Sequence, residues 1–246
     1  MNRFFYEANQ KTGDTVFLQG EDVHHLTRVL RVQTGDLLEL CGPGGICRLA
    51  EITAVAKDQV CCRLLEGLPG SEPRAKVDLA FGLLKGEKTD FVLQKGTELG
   101  VSAFLPFLSS RTVVKVQKDK DSKQKRRQRI VRSAAGQARR SLLPAVREAV
   151  PFNELLQRFA EYELVLFFWE EAAGENSPLQ LREEIGRCRR LLVVTGPEGG
   201  FSAEEAGQAR KAGAKLFTLG PRILRAETAA VVAAALCLYE AGDLGG

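Results

Sequence analysis

The sequence predicts an α/β protein in two parts: a small N-terminal β-barrel, then a larger region built on a mainly parallel sheet covered by helices. Two observations carry that reading. Residues 1–70 read as short apolar or alternating strands separated by turn-forming residues. After Pro73 the pattern changes to strand and helix in alternation, the rhythm of a parallel sheet with helices on both faces. The Gly- and Pro-containing stretch Gly67–Pro73 separates them, so the expected domains are 1–70 and 74–246.

In the first part, Thr15–Leu18, Leu37–Leu40, Gly45–Ile52 and Gln59–Leu65 are predicted strands. Gly13-Asp14, Thr34-Gly35-Asp36 and Gly42–Gly45 supply the turns, and a short helix is expected over Asp22–Leu30. In the second part, Val77–Leu84 predicts a strand and Lys88–Leu99 a helix stopped by Gly100. Val101–Phe107 predicts a strand, Lys118–Arg140 a long basic helix, and Glu163–Trp169 an apolar strand. Two strand–loop–helix units follow, with strands at Leu191–Thr195 and Lys215–Leu219. Ser202-Ala-Glu-Glu205 has the spacing of a capping box, and Gly213 stands where that helix should stop. The last predicted helix, Thr228–Ala241, is apolar almost all round, as burial or a subunit interface requires.

At 44% hydrophobic and 27% charged residues over 246 positions, the composition is that of a globular protein with ample core. No apolar stretch approaches the roughly 20 residues of a membrane span, and the N-terminus has no leader pattern, so a cytoplasmic protein without a membrane partner is expected. Six cysteines show no C-x-x-C spacing, and the histidines are only His24 and His25, which read as local hydrogen-bonding residues. No metal site is therefore expected, and the cysteines read as free thiols, with Cys61 and Cys62 on opposite faces of a strand. Charge is unevenly spread. Between Arg111 and Arg147 stand thirteen Lys or Arg against two Asp, in a chain whose net charge is only +4. That concentration is the footprint of a polyanion-binding face and points to nucleic acid.

The chemistry concentrates in Thr195–Phe201 (TGPEGGF) and Leu219–Ala229 (LGPRILRAETA). Each follows a predicted buried strand and leads into a predicted helix, so the two loops should open side by side at the carboxyl ends of neighbouring strands, where α/β sheets hold ligands. Glycines there allow backbone amides and carbonyls to approach a ligand closely. The candidate cofactor-binding residues are Thr195, Gly196, Pro197, Gly199, Gly200, Leu219, Gly220, Ile223, Leu224, Thr228 and Ala229, with Ile223 and Leu224 placed to supply apolar walls.

Together with His24–Arg31, Lys85–Asp90, Gln94–Val101, Ser110–Val113 and Gln137–Arg140, these motifs resemble the SPOUT class of methyltransferases, nearly end to end. Within that class they resemble the family that methylates N3 of a uridine in 16S ribosomal RNA of the small subunit. The resemblance implies a PUA-like RNA-binding barrel, a C-terminal domain threaded as a trefoil knot, a homodimer, and S-adenosylmethionine as methyl donor. Transfer to N3 requires loss of its proton, through a general base or a cation that stabilises the uridinate. Arg225 is the expected cation, with Glu198 or Glu227 orienting it or relaying the proton; a purely structural Arg225–Glu227 pair is the alternative. Arg3, Arg28, Arg31, Arg111, Lys123, Arg126, Arg139 and Arg140 are the expected RNA contacts, and Glu170 is placed to reach the cofactor's ribose or amine. Two other readings share these features: a SPOUT relative acting on a ribose 2′-hydroxyl or transfer RNA, and a non-catalytic RNA-binding assembly factor.

Overall fold

The computed structural model describes residues 2–113, 120–172 and 178–244. It divides into two units: Met1–Glu72 with Ala135–Leu143, and Pro73–Ala134 with Pro144–Gly246.

The first unit holds strands β1 (Arg3–Phe5), β2 (Lys11–Thr12), β3 (Thr15–Gln19), β4 (Leu37–Cys41), β5 (Cys47–Val55) and β6 (Gln59–Gly67). They form one sheet in the order β1-β4-β5-β6-β3-β2, antiparallel except for the β1–β4 pair. Register shifts between β5 and β6 bend the sheet around its core. That core takes one face of each strand but β2, including Val16 and Leu18, Leu38 and Leu40, Ile52, and Val60 with Cys62. The alternation leaves Cys61 half-buried on the other face, as its position beside buried Cys62 predicts. Helix α1 (Glu21–His24) widens into a π-helical turn, His25–Leu30, ended by Arg31 at φ 54°.

The expectation of six free thiols is corrected at two positions. Cys41 and Cys47 face each other across the β4–β5 hairpin and are joined by a disulfide. Their separation in sequence does not reveal this, because the pairing arises from hairpin register. Cys61, Cys62, Cys188 and Cys237 are free.

Residues 135–143 belong to this unit through specific contacts. Ala135 is buried with Phe5, Cys41 and Cys47, and Gly136 lies so close to β1 that a Cβ would stand 2.8 Å from the Arg3 carbonyl oxygen. Glu72 accepts hydrogen bonds from the Arg140 guanidinium (2.5 Å) and from the Ser141 and Leu142 amides (2.6 and 2.9 Å).

The second unit holds β7 (Lys76–Gly82), β8 (Ala103–Leu108), β9 (Ala145–Val146), β10 (Val150–Pro151), β11 (Leu164–Phe168), β12 (Arg190–Thr195) and β13 (Lys215–Phe217). Their order is β10-β8-β7-β12-β11-β13, with β9 also on β8, and every pair is parallel. The helices are α2 (Glu87–Leu99), α3 (Lys120–Gln137, whose last three residues belong to the first unit), α4 (Phe152–Gln157), α5 (Pro178–Arg187), α6 (Ala203–Lys211) and α7 (Ala226–Glu240). Both sheet faces are covered, which is why β12 reads as an unbroken apolar run and β7 as one interrupted by Asp78. Val77, Leu79, Phe81, Leu191 and Val193 pack in one core with Ala230, Ala233 and Leu238 of α7; Ala80, Leu192 and Val194 pack in the other with Phe201 and Ala206.

Gly100 ends α2 at φ 117° and the Ser202–Glu205 capping box starts α6, both as the sequence predicts. The predicted start of α3 at Lys118, and Lys115 before it, lie outside the described residues. Helix α7 starts at Ala226, slightly earlier than expected, and leaves Leu236 and Tyr239 exposed. The sequence reading contains no β1, β2, β9, β10, α4 or α5, because segments this short or weakly patterned carry little periodic signal. No helix among the described residues is long and apolar enough to cross a membrane.

Candidate active site

Strand order places a topological switch point at β7–β12: the chain goes from β7 to β8 on one side, then crosses to β11 and β12 on the other. In open parallel sheets a ligand crevice lies beyond the carboxyl ends of strands at such a point. There the loops after β11, β12 and β13 enclose a cleft of about 450 Å³.

Of the predicted residues, Thr195, Gly196, Pro197, Glu198, Gly199 and Gly200 line it from the first loop. Leu219, Gly220, Ile223, Leu224, Arg225 and Ala229 line it from the second, and Glu170 from the end of β11. Thr228 is not brought in; it stands exposed on the first turn of α7. Ile223 lines the cleft yet is 84% exposed, so its side chain forms a rim.

The first loop is held from three directions. Phe201 is buried among Phe107, Phe152 and Phe167, with ring centroids 6.0, 6.0 and 4.1 Å away. Glu205 accepts from the Ser202 amide (2.9 Å) and from the Ser110 amide (2.8 Å), tying the capping box of α6 to the segment after β8. Arg111 donates to the carbonyls of Gly199 and Phe201, 3.2 Å each. Backbone space is tight here. Gly200 has φ +66°, and a Cβ on it would stand 2.7 Å from Glu170 Oε1. A Cβ on Gly82, at the end of β7, would stand 2.3 Å from Pro197 N.

Electrostatically, Lys88 sits between two of the predicted carboxylates. Its Nζ lies 3.3 Å from Glu198 Oε1 and 3.8 Å from Glu227 Oε2. Glu198 also accepts from the Lys85 amide at 3.1 Å. Burial works to raise the Glu198 pKa, but the backbone amides and the Lys88 ammonium outweigh it and hold the carboxyl below its ordinary range. Glu227 faces Lys88, with 14% of its side chain exposed, and Arg225 makes no ion pair among the described residues. The alternative Arg225–Glu227 pair is therefore not formed among the described residues, and Lys88 bridges Glu198 and Glu227 instead. Three buried polar atoms here lack hydrogen-bond partners: Thr195 Oγ1, Trp169 Nε1 and Glu227 Oε2. Thr195 and Trp169 line the cleft, and buried groups of this kind normally find a partner.

A family model described as RNA methyltransferase domain matches residues 71–238, and one described as RNA methyltransferase PUA domain matches 18–65. The chain is 36% identical to the ribosomal RNA small subunit methyltransferase E of Bacillus subtilis (strain 168), over 98% of this chain and 97% of that protein. The chain belongs to the ribosomal RNA small subunit methyltransferase E family. Its fold is similar to that of the methyltransferase E from Neisseria gonorrhoeae bound to S-adenosyl methionine, with a TM-score of 0.85, 31% identity and 96% of each chain covered. A putative methyltransferase from Legionella pneumophila, in complex with the same cofactor, gives a TM-score of 0.86 at 30% identity and the same coverage.

In this methyltransferase E family member the expected RNA contacts divide into two groups. Arg28, Arg31 and Arg139 are exposed in the first unit, and Lys123 and Arg126 in the second, where Arg126 also pairs with Asp90. Arg31 and Arg139 are the two non-glycine residues of positive φ among those described, at 54° and 55°. Arg3 and Arg140 turn inward instead. Their side chains are 6% and 5% exposed and bound to Glu39 and Glu72. A guanidinium so placed holds its own unit together, and Arg111, although exposed, turns its Nη1 to the first loop. His24 and His25 are exposed and outside the cleft.

Lys88, Gly82, Glu205 and Trp169 escaped the sequence-based site. Lys88 lies within Lys85–Asp90, a stretch that the resemblance already singles out. Gly82 and Glu205 carry no such signal, because their importance comes from what the fold brings against them.

Proposed function

We propose that this protein transfers a methyl group from S-adenosylmethionine to N3 of a uridine in 16S ribosomal RNA of the small subunit. The observation that carries this is the convergence on one cleft of both glycine loops, an Arg225 without an ion pair among the described residues, and the Lys88–Glu198 pair.

The cleft's residues fit the methyl donor. The unpartnered Thr195 hydroxyl and Trp169 indole N–H offer polar partners, the loop backbones around Gly196, Gly200 and Gly220 offer amides and carbonyls, and Leu219 and Leu224 offer apolar walls. Bound there, S-adenosylmethionine supplies a methyl on a sulfonium whose leaving group is a neutral thioether. The protein's part is the acceptor base. Arg225 stabilises the negative charge that spreads onto the uracil as N3 gives up its proton. Glu198, kept ionised and facing the cleft, accepts the N3–H hydrogen bond and relays the proton; Glu227 faces Lys88. Holding both reactants in line supplies much of the rate.

The exposed cations of the first unit and of α3 grip RNA backbone in this reading. The second copy of a homodimer covers the exposed apolar side chains of Ile223, Leu236 and Tyr239. The trefoil knot belongs to the same reading, through the likeness to the SPOUT class.

Calorimetry with S-adenosylmethionine, together with mass mapping of 16S ribosomal RNA from cells lacking the gene, tests the proposal. Binding and loss of 3-methyluridine are expected; no heat, or loss of a 2′-O-methyl mark instead, refutes it. Arg225→Ala is expected to lower kcat far more than cofactor affinity, and equal losses in both would remove its assigned role.

A further inference from the structure

Among the described residues that line the cleft, Lys88 comes from a separate element, the first turn of α2. Its two carboxylate partners come from different loops: Glu198 from the loop after β12, and Glu227 from the start of α7, directly after the second loop. Two carboxylates gathered at one point repel, and a single ammonium between them converts that repulsion into attraction toward a common point. Glu198 is further fixed by the Lys85 amide three residues earlier, so one short stretch of chain holds the first loop at two points. Glu227 Oε2 is buried without a hydrogen-bond partner, and Lys88 is the cation nearest to it in any ion pair of the described residues.

We infer that Lys88 is a positioning residue for methyl transfer: by bridging Glu198 and Glu227 it fastens the two glycine loops to each other and pre-forms the cleft. This rests on the methyltransferase reading above. Lys88 takes no part in bond making. Its effect is on the loops' readiness to receive the methyl donor, so it should appear in donor affinity before it appears in turnover. A partly exposed ion pair of this kind contributes up to about 1 kcal/mol, which corresponds to a change in affinity of about three- to sixfold.

The test is calorimetric titration of the full-length protein with S-adenosylmethionine, with steady-state kinetics on small-subunit RNA alongside. Lys88→Met is expected to raise the Kd and KM for S-adenosylmethionine by about three- to sixfold, leaving the KM for RNA unchanged. Lys88→Arg, which restores the cation, is expected to recover most of that loss. Lys88→Met combined with Glu227→Gln should weaken binding no more than either substitution alone, because both break the same bridge. Should Lys88→Met fail to fold, Glu227→Gln alone carries the same binding readout. Unchanged donor Kd in Lys88→Met, or a double variant whose losses add, overturns the inference. Absence of heat with the unsubstituted protein would instead overturn the methyltransferase reading, and the bridge's role with it.

Discussion

Gly82 offers the sharpest mechanical probe of the cleft. It ends β7, pairs with Phe107 of β8, and its missing side chain is where Pro197 of the first glycine loop rests. A Cβ there would stand 2.3 Å from Pro197 N, 2.5 Å from Cδ and 2.8 Å from Cα, against ordinary contact at 3.4 Å and beyond. Substitution by Ala therefore asks for a displacement of about 1 Å, and nothing nearby is a flexible side-chain tip. Pro197 is a rigid ring followed by Glu198, tethered to Lys85 and Lys88, and by Phe201, locked among three phenylalanines. Overpacking of this kind costs about 1–3 kcal/mol. If the loop yields, S-adenosylmethionine binding weakens by about 5- to 150-fold, since each 1.4 kcal/mol is about tenfold. If the loop holds, the strain appears as stability, at roughly 2–4 °C in Tm for each kcal/mol in a chain of this size. Calorimetry with S-adenosylmethionine and a thermal melt on Gly82→Ala measure both routes. A variant with unchanged Kd and unchanged Tm would refute the claim that β7 seats the loop.

Other perturbations probe the remaining parts of the molecule. Burial works to raise the Glu72 pKa, but the hydrogen bond and charge of Arg140, with the amides of Leu142 and Ser141, hold it below its ordinary value of 4.5. Its contribution is therefore fully present above pH 4.5 and is lost as pH falls through the lowered folded value; Glu72→Gln should flatten that acid loss, and parallel stability–pH curves would contradict it. Glu205→Ala strands the Ser110 and Ser202 amides and is expected to lower stability by about 2–4 kcal/mol in a denaturant melt, with a loss under about 1 kcal/mol counting against the strut. Reversing Lys123, Lys125 and Arg129 to Glu should weaken RNA binding and make its salt dependence shallower, by about 0.7 for each phosphate of single-stranded RNA that is no longer neutralised; an unchanged slope means that face does not touch the backbone.

Much of the cleft was legible because its determinants are local. TGPEGGF and LGPRILRAETA each carry their own strand end, glycines and helix start, and the capping box at Ser202 is a contiguous signal. Lys88 was harder to assign, since a lysine in the first turn of a helix ordinarily reads as solvated surface; its meaning depends on carboxylates 110 and 139 positions away. Arg3 and Arg140 misled for the opposite reason. A basic residue in a basic neighbourhood suggests a nucleic-acid contact, yet each is buried against a glutamate brought in by the fold.

By itself the sequence determined the class of each region, the positions of the long strands and helices, both glycine loops, and the basic character of α3. These follow from hydrophobic period, turn chemistry and charge, which act over a few residues. Only the tertiary structure decided that residues 135–143 join the first unit, that Cys41 meets Cys47, that Gly82 seats Pro197, and that Lys88 rather than Arg225 pairs with Glu227. Those are pairings between distant segments, set by sheet register and strand order, and a single chain's sequence records neither.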